Sequence, residues 1–190
     1  MSLSPPDHKI SVFDDKYLSK QNTKFILEEG INIIDENGFK IYSCTNELNK
    51  VEVYDNTEKT VLFNVRYNEM KYPIDKLTIY SGKTETNVAA TIAMKYSFLS
   101  KKYFIEYVNK ETNKTEMLEI KNDLSFTTVD IYAGKKKEGA PKIGTIIKQK
   151  GNRDKDFSIE VAANVDQLFM IAIGICQYKL YLNSTHSTAM

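Results

Sequence analysis

Asn164-Val165-Asp166-Gln167-Leu168-Phe169-Met170-Ile171-Ala172-Ile173-Gly174-Ile175-Cys176-Gln177-Tyr178-Lys179-Leu180-Tyr181 is the one long stretch of this sequence with a helical reading, and it decides the fold. Asn164 can serve as an N-cap, Asp166 puts an anion in the first turn, and Lys179 puts a cation in the last. The spacing therefore predicts a helix over 164–181 with both ends marked. Its middle, 168–176, is apolar around the whole circumference, so no polar stripe is left to face water and the helix must be surrounded. Nine apolar residues fall well short of the roughly twenty that cross a bilayer. The surround must then be protein, with Ala172 and Gly174 as the places where strands can approach closely.

Upstream, residues 9–161 read as short alternating runs separated by clusters of Asn, Asp, Gly and Lys, the pattern of antiparallel strands joined by hairpins. Phe25-Ile26-Leu27, Leu77-Thr78-Ile79-Tyr80, Tyr103-Phe104-Ile105-Glu106-Tyr107 and Phe157-Ser158-Ile159-Glu160-Val161 are examples. A weak repeat runs through them. Leu77-Thr78-Ile79-Tyr80-Ser81-Gly82-Lys83 parallels Val129-Asp130-Ile131-Tyr132-Ala133-Gly134-Lys135, and Val51-Glu52-Val53-Tyr54 is a looser third copy. The expected fold is all-β with one buried helix: a roughly twelve-stranded antiparallel β-barrel enclosing a hydrophobic C-terminal α-helix. Residues 1–19 read as an N-terminal extension, 20–182 as the barrel domain and 183–190 as a flexible, frayed tail.

Composition agrees. The chain of 190 residues is 42% hydrophobic, with 12 Tyr and 9 Phe against 8 Gly and 4 Pro, which suits one globular core rich in β-formers. Its two cysteines, Cys44 and Cys176, sit in apolar patterns and cannot form a disulfide framework. The first eight residues carry no basic start and no apolar run of signal-peptide length. A soluble, cytoplasmic protein without a transmembrane span is expected.

No constellation points to catalysis, and no cofactor or metal is implied. The only histidines, His8 and His186, fall in termini expected to be mobile and have no zinc-ligand spacing. The paired carboxylates Asp14-Asp15, Glu28-Glu29 and Asp35-Glu36 read as solvated turn charges, and Gly134, Gly139 and Gly144 as hairpin glycines rather than a phosphate loop. Neither cysteine shows the cationic context that makes a reactive thiolate.

Charge carries the functional content. Residues 135–156 hold eight basic side chains against three acidic ones in a protein of net charge +1. Lys135, Lys136, Lys137, Lys142, Lys148, Lys150 and Arg153 form the expected anion-binding set, suited to lipid phosphates. Nucleic acid fits less well, because the chain has only two arginines and its aromatics belong to strands rather than to the basic cluster.

The ending Phe157-Ser158-Ile159-Glu160-Val161-Ala162-Ala163-Asn164-Val165-Asp166-Gln167, running into a wholly apolar helix, resembles the C-terminal signature of LURP-one-related proteins. These belong to the Tubby C-terminal-like superfamily, with Tubby and the phospholipid scramblases, and the resemblance extends over most of 20–182. It implies a barrel around a central helix. Together with the basic segment, it makes the expected function a non-enzymatic module that associates with anionic phospholipid, phosphoinositide in particular, peripherally at the inner membrane face. Tubby's phosphoinositide-binding lysine and arginine have no matching motif in this sequence. The second function it implies is a protein-interaction adaptor in stress or defence signalling. The cysteine-rich acylation segment and acidic calcium-binding stretch of scramblases have no counterpart here, and Gln177-Tyr178-Lys179 stands where the family often places an acidic residue.

Overall fold

A computed structural model describes residues 2–57, 59–71, 73–97, 100–123, 125–149 and 156–186. Alternating side chains make twelve strands: β1 (Thr23–Glu28), β2 (Asn32–Asp35), β3 (Lys40–Glu47), β4 (Lys50–Asp55), β5 (Val61–Tyr67), β6 (Lys76–Ser81), β7 (Val88–Ser97), β8 (Ser100–Asn109), β9 (Lys114–Asn122), β10 (Thr128–Tyr132), β11 (Lys142–Lys148) and β12 (Phe157–Val161). Each pairs antiparallel with the next, and β1 pairs with β12, closing the barrel. Every second residue faces inward, as Leu77 and Ile79 do on β6 and Phe157, Ile159 and Val161 on β12. Closure leaves no edge strand open to aggregation.

The repeated sequence element has a geometric counterpart. Pairing shifts by one residue at Val53/Tyr54, at Ile79/Tyr80 and at Ile131/Tyr132, the same step in each copy. Each is a bulge in which the return strand carries one extra residue, Leu62, Ala89 and Ile143 respectively. A fourth shift lies at Ile33/Ile34 between β2 and β3. Bulges raise the local twist, which is what a sheet needs in order to curl shut.

The barrel encloses α1 (Gln167–His186), on which every residue from 168 to 180 is buried. Two glycines admit it. A Cβ on Gly174 would collide with the Ile159 side chain, and one on Gly144 would meet the end of Met170 and stand 3.2 Å from the Glu160 carbonyl oxygen. Gly144 is thus not a hairpin glycine: it sits within β11, against the helix.

The helix differs from its expected bounds at both ends. Asn164 has φ 66°, a left-handed conformation unlike an N-cap, and its main chain instead bonds Ser19 and Ile10. Asp166 is the cap, its Oδ1 accepting from the Phe169 N–H at 3.0 Å. At the other end the helix runs on through polar residues to His186, and 187–190 of the expected tail lie outside the described residues. Asn183 Oδ1 accepts from the Ile74 N–H at 3.1 Å, and the hydroxyls of Ser184 and Thr185 donate to the carbonyls of Tyr181 and Leu182. Lys179 therefore lies inside the helix rather than in its last turn.

The N-terminal residues strap the end of the barrel where the helix begins. Ile10 bridges Val165, Leu18 bridges Asp166, and Ile10, Val12 and Phe13 enter the core. Asp166 Oδ2 accepts from the N–H groups of Val12 at 3.1 Å and Phe13 at 2.7 Å, so one buried carboxylate serves both helix and strap. Asn109 grips the strap from the β8–β9 turn, accepting from the Ser11 N–H at 3.2 Å and donating to the Lys9 carbonyl at 2.9 Å. His8 is held too, its Nε2 2.9 Å from Glu116 Oε2. Burial pushes the Glu116 pKa up, but hydrogen bonds from Thr112, His8, Tyr107 and Asn109 outweigh it and bring the value down to about 2.

Two outcomes follow from this packing. Ile173→Lys puts a charge without a counterion inside the barrel, at a cost of several kcal/mol that is comparable with the stability of a whole domain. Soluble expression should be lost, and a soluble variant with native near-UV circular dichroism would contradict the enclosed helix. Glu116 is depressed in the folded state, so its contribution is present above its ordinary pKa of 4.5 and is lost as pH falls toward 2. Thermal melts of Glu116→Gln should accordingly differ from wild type at pH 6 and converge with it as the pH drops through that window.

Candidate functional site

The β10–β11 hairpin presents the lysines that sequence singled out. Lys136–Glu138 form a short 3-10 turn, preceded by Lys135 and closed by Gly139 at φ 86°, a left-handed conformation that glycine adopts at no steric cost. Lys135 Nζ pairs with Glu138 Oε1 at 3.0 Å, and the Lys136 N–H donates to Glu119 Oε2 at 2.7 Å. Lys136 extends over the Tyr132 ring, Nζ 5.0 Å from the centroid, and hydrogen bonding to Tyr132 raises its pKa, keeping it cationic. Lys137 is exposed and has no ion-pair partner among the described residues. The turn is thus an exposed cationic tip, anchored to β9 through Glu119.

The rest of the basic segment does not join it. Lys142 Nζ is engaged by Asp130 Oδ1 at 3.1 Å, and its side chain is only 11% exposed. Lys148 stands at the far end of β11, Nζ 5.3 Å from the Tyr181 ring centroid. A strand advances about 3.3 Å per residue, so the six steps from Lys142 to Lys148 put them about 20 Å apart. Lys150 and Arg153 lie outside the described residues. Residues neighbouring in sequence are therefore divided between opposite ends of the barrel.

At that far end lies a residue whose role the sequence reading missed. Lys179, taken there as a complement to the helix dipole, is 8% exposed and packs its Nζ 5.6 Å from the Tyr67 ring centroid. The available signal was its position, directly after an apolar stretch with no polar face to occupy. Burial lowers its pKa, opposed by the nearby Glu69 carboxylate. Lys179 also supplies Cys44 with a cationic neighbour, but burial dominates and pushes that thiol up to about 12; burial raises Cys176 as well. Both stay protonated, and a protonated thiol is a poor nucleophile. No group of three or more His, Cys, Asp or Glu side chains among the described residues is placed to hold a metal.

A closed twelve-strand antiparallel barrel threaded by one C-terminal helix, with cationic side chains on a connecting turn, defines a Tubby-like domain. The chain belongs to the LURP-one-related family, whose model matches residues 16–177. Searches of curated proteins and of solved structures found no match. Among the described residues, no helix is long and apolar enough to cross a membrane.

Proposed function

We propose that this protein is a non-enzymatic, cytoplasmic module that associates peripherally with anionic phospholipid, phosphoinositide in particular, at the inner membrane face. The observation that carries this reading is the exposed lysine tip, Lys135 to Lys137, on a 3-10 turn closed by Gly139. Membership of a family with the Tubby-like barrel supports it. An anionic leaflet attracts each near-surface lysine by on the order of 1 kcal/mol. Glu138 already pairs with Lys135, so the two lysines without an ion pair, Lys136 and Lys137, are worth about 2 kcal/mol, a factor of about thirty in affinity. Lys142 contributes little, because Asp130 already neutralises it.

The triple variant Lys135→Glu, Lys136→Glu and Lys137→Glu should lose binding to phosphoinositide-containing vesicles at least about thirtyfold while its melting temperature barely moves. Wild-type binding should weaken steeply with added salt, since exposed charges are screened beyond about 8 Å at physiological ionic strength. Co-sedimentation over graded anionic content measures both. Equal binding by wild type and variant would remove the tip from the site, whereas no vesicle binding by wild type would favour the protein-adaptor reading.

A further inference from the structure

The end of the barrel where α1 finishes carries exposed apolar side chains on three successive turns: Ile31 between β1 and β2, Leu48 between β3 and β4, and Met70 between β5 and β6. They are 47%, 72% and 86% exposed. A single exposed aliphatic needs no explanation, but these turns are joined to one another. Asn46 Nδ2 donates to the Gly30 carbonyl at 3.0 Å, and Asn49 accepts from the Tyr67 N–H on its carbonyl at 3.2 Å and from the Glu69 N–H on its Oδ1 at 2.7 Å. The first turn is also pinned to the helix, where Tyr178 Oη donates to the Glu29 carbonyl at 3.0 Å. Neighbouring strands lie about 4.8 Å apart, so turns two strands apart stand about 10 Å from each other and the arc is about 20 Å long.

Charge alternates with the apolar groups. An exposed glutamate stands within two positions of each: Glu29, Glu47 and Glu69. Glu47 pairs with Lys50 at 3.7 Å and is still 62% exposed. Glu29 and Glu69 form no ion pair among the described residues. The flanking lysines are themselves engaged, Lys50 by Glu52 and Lys71 by Asp75. The arc therefore presents aliphatic groups and net negative charge on a frame fixed before any partner arrives, which lowers the ordering cost of binding.

We propose that this arc docks a cationic amphipathic segment of a partner protein, its apolar side chains against Ile31, Leu48 and Met70 and its lysines or arginines against Glu29, Glu47 and Glu69. A helix of about fourteen residues, rising about 1.5 Å per residue, matches the arc in length. An anionic membrane is disfavoured here, because the three carboxylates would face lipid phosphates. A second copy of the arc would bring no free cation to meet them. The arc lies at the opposite end of the barrel from the lysine tip and does not depend on it.

Synthetic helical peptides of about fourteen residues serve as probes. One carries leucines on one face and lysines on the other, and its counterparts replace the lysines by glutamate or the leucines by serine. Titrated into the isotope-labelled full chain and followed by amide NMR, the Leu/Lys peptide should bind at one site, at least about tenfold tighter than either counterpart. Its shifts should be confined to 29–31, 46–49 and 67–71. The double variant Leu48→Ser, Met70→Ser removes only exposed side chains. It should keep the wild-type melting temperature and the wild-type level of vesicle binding, yet lose affinity for the peptide at least about tenfold. Glu47→Gln with Glu69→Gln should weaken the peptide and flatten its salt dependence. The proposal is overturned if wild type does not bind the Leu/Lys peptide, if either counterpart binds as well, if the shifts centre elsewhere, or if the double variant binds unchanged. Loss of vesicle binding in the double variant would make the arc a lipid contact, and a wild-type dimer that the variant dissolves would make it a self-association face; either result also overturns the proposal.

Discussion

A helix with no polar face cannot be left in water, and that constraint organises the rest of the molecule. Residues 168–180 are buried on every side, so strands must surround α1 completely, and a sheet that surrounds something has to close. Closure joins the first strand to the last through pairs such as Phe25 with Ile159, which makes the barrel wall a single cooperative object. Each fully buried Ile, Leu, Phe or Met is worth roughly 1.5–3 kcal/mol relative to exposure. A helix carrying such residues on all faces gathers more of that stabilisation per turn than an amphipathic one, but only if the wall fits it. Gly174 and Gly144 are where the fit is tightest.

The open end of a barrel is the weak point of this arrangement, because the first N–H groups of the helix and the last strand residues face solvent there. The N-terminal strap and Asp166 solve both problems together. One carboxylate oxygen caps the helix at the Phe169 N–H while the other holds the Val12 and Phe13 N–H groups. Burial raises the Asp166 pKa and the backbone donors lower it, with burial the larger influence. The chain thereby couples residues more than 150 positions apart through a single side chain. The opposite end is closed differently, by Asn183 reaching from the helix to the β5–β6 connection.

Much of this was legible in the sequence because the governing signals are periodic. Period-two alternation marked the strands, the loss of any polar stripe marked the enclosed helix, and the recurring Ile/Val–Tyr step marked hairpins whose bulges fall at that same step. What could not be read were choices made by tertiary partners. Asn164 has the composition of a cap, yet Ser19 and Ile10 claim its backbone and Asp166 caps the helix instead. The polar residues after Tyr181 resemble a frayed end, but Asn183 finds acceptors and a donor in a loop more than a hundred positions away. Glycine in a lysine-rich hairpin looks like a turn residue, whereas at position 144 the missing side chain makes room for Met170.

Charge was the least transferable signal. Counting along the chain merges Lys135 through Arg153 into one basic segment, but an antiparallel strand carries consecutive residues from one end of the barrel to the other. The segment is therefore split by the very regularity that made β11 recognisable. Its lysines also differ in what faces them: Asp130 neutralises Lys142 beside the hairpin turn, while the rings of Tyr132 and Tyr181 receive Lys136 and Lys148 without cancelling their charge. Lys179 makes the opposite case. In sequence it is one cation among 26 basic residues, yet the fold buries it beside the Tyr67 ring, where desolvation lowers its pKa against the pull of Glu69. Electrostatic function in this fold thus depends less on how many lysines a segment holds than on which of them the barrel leaves without a counterion.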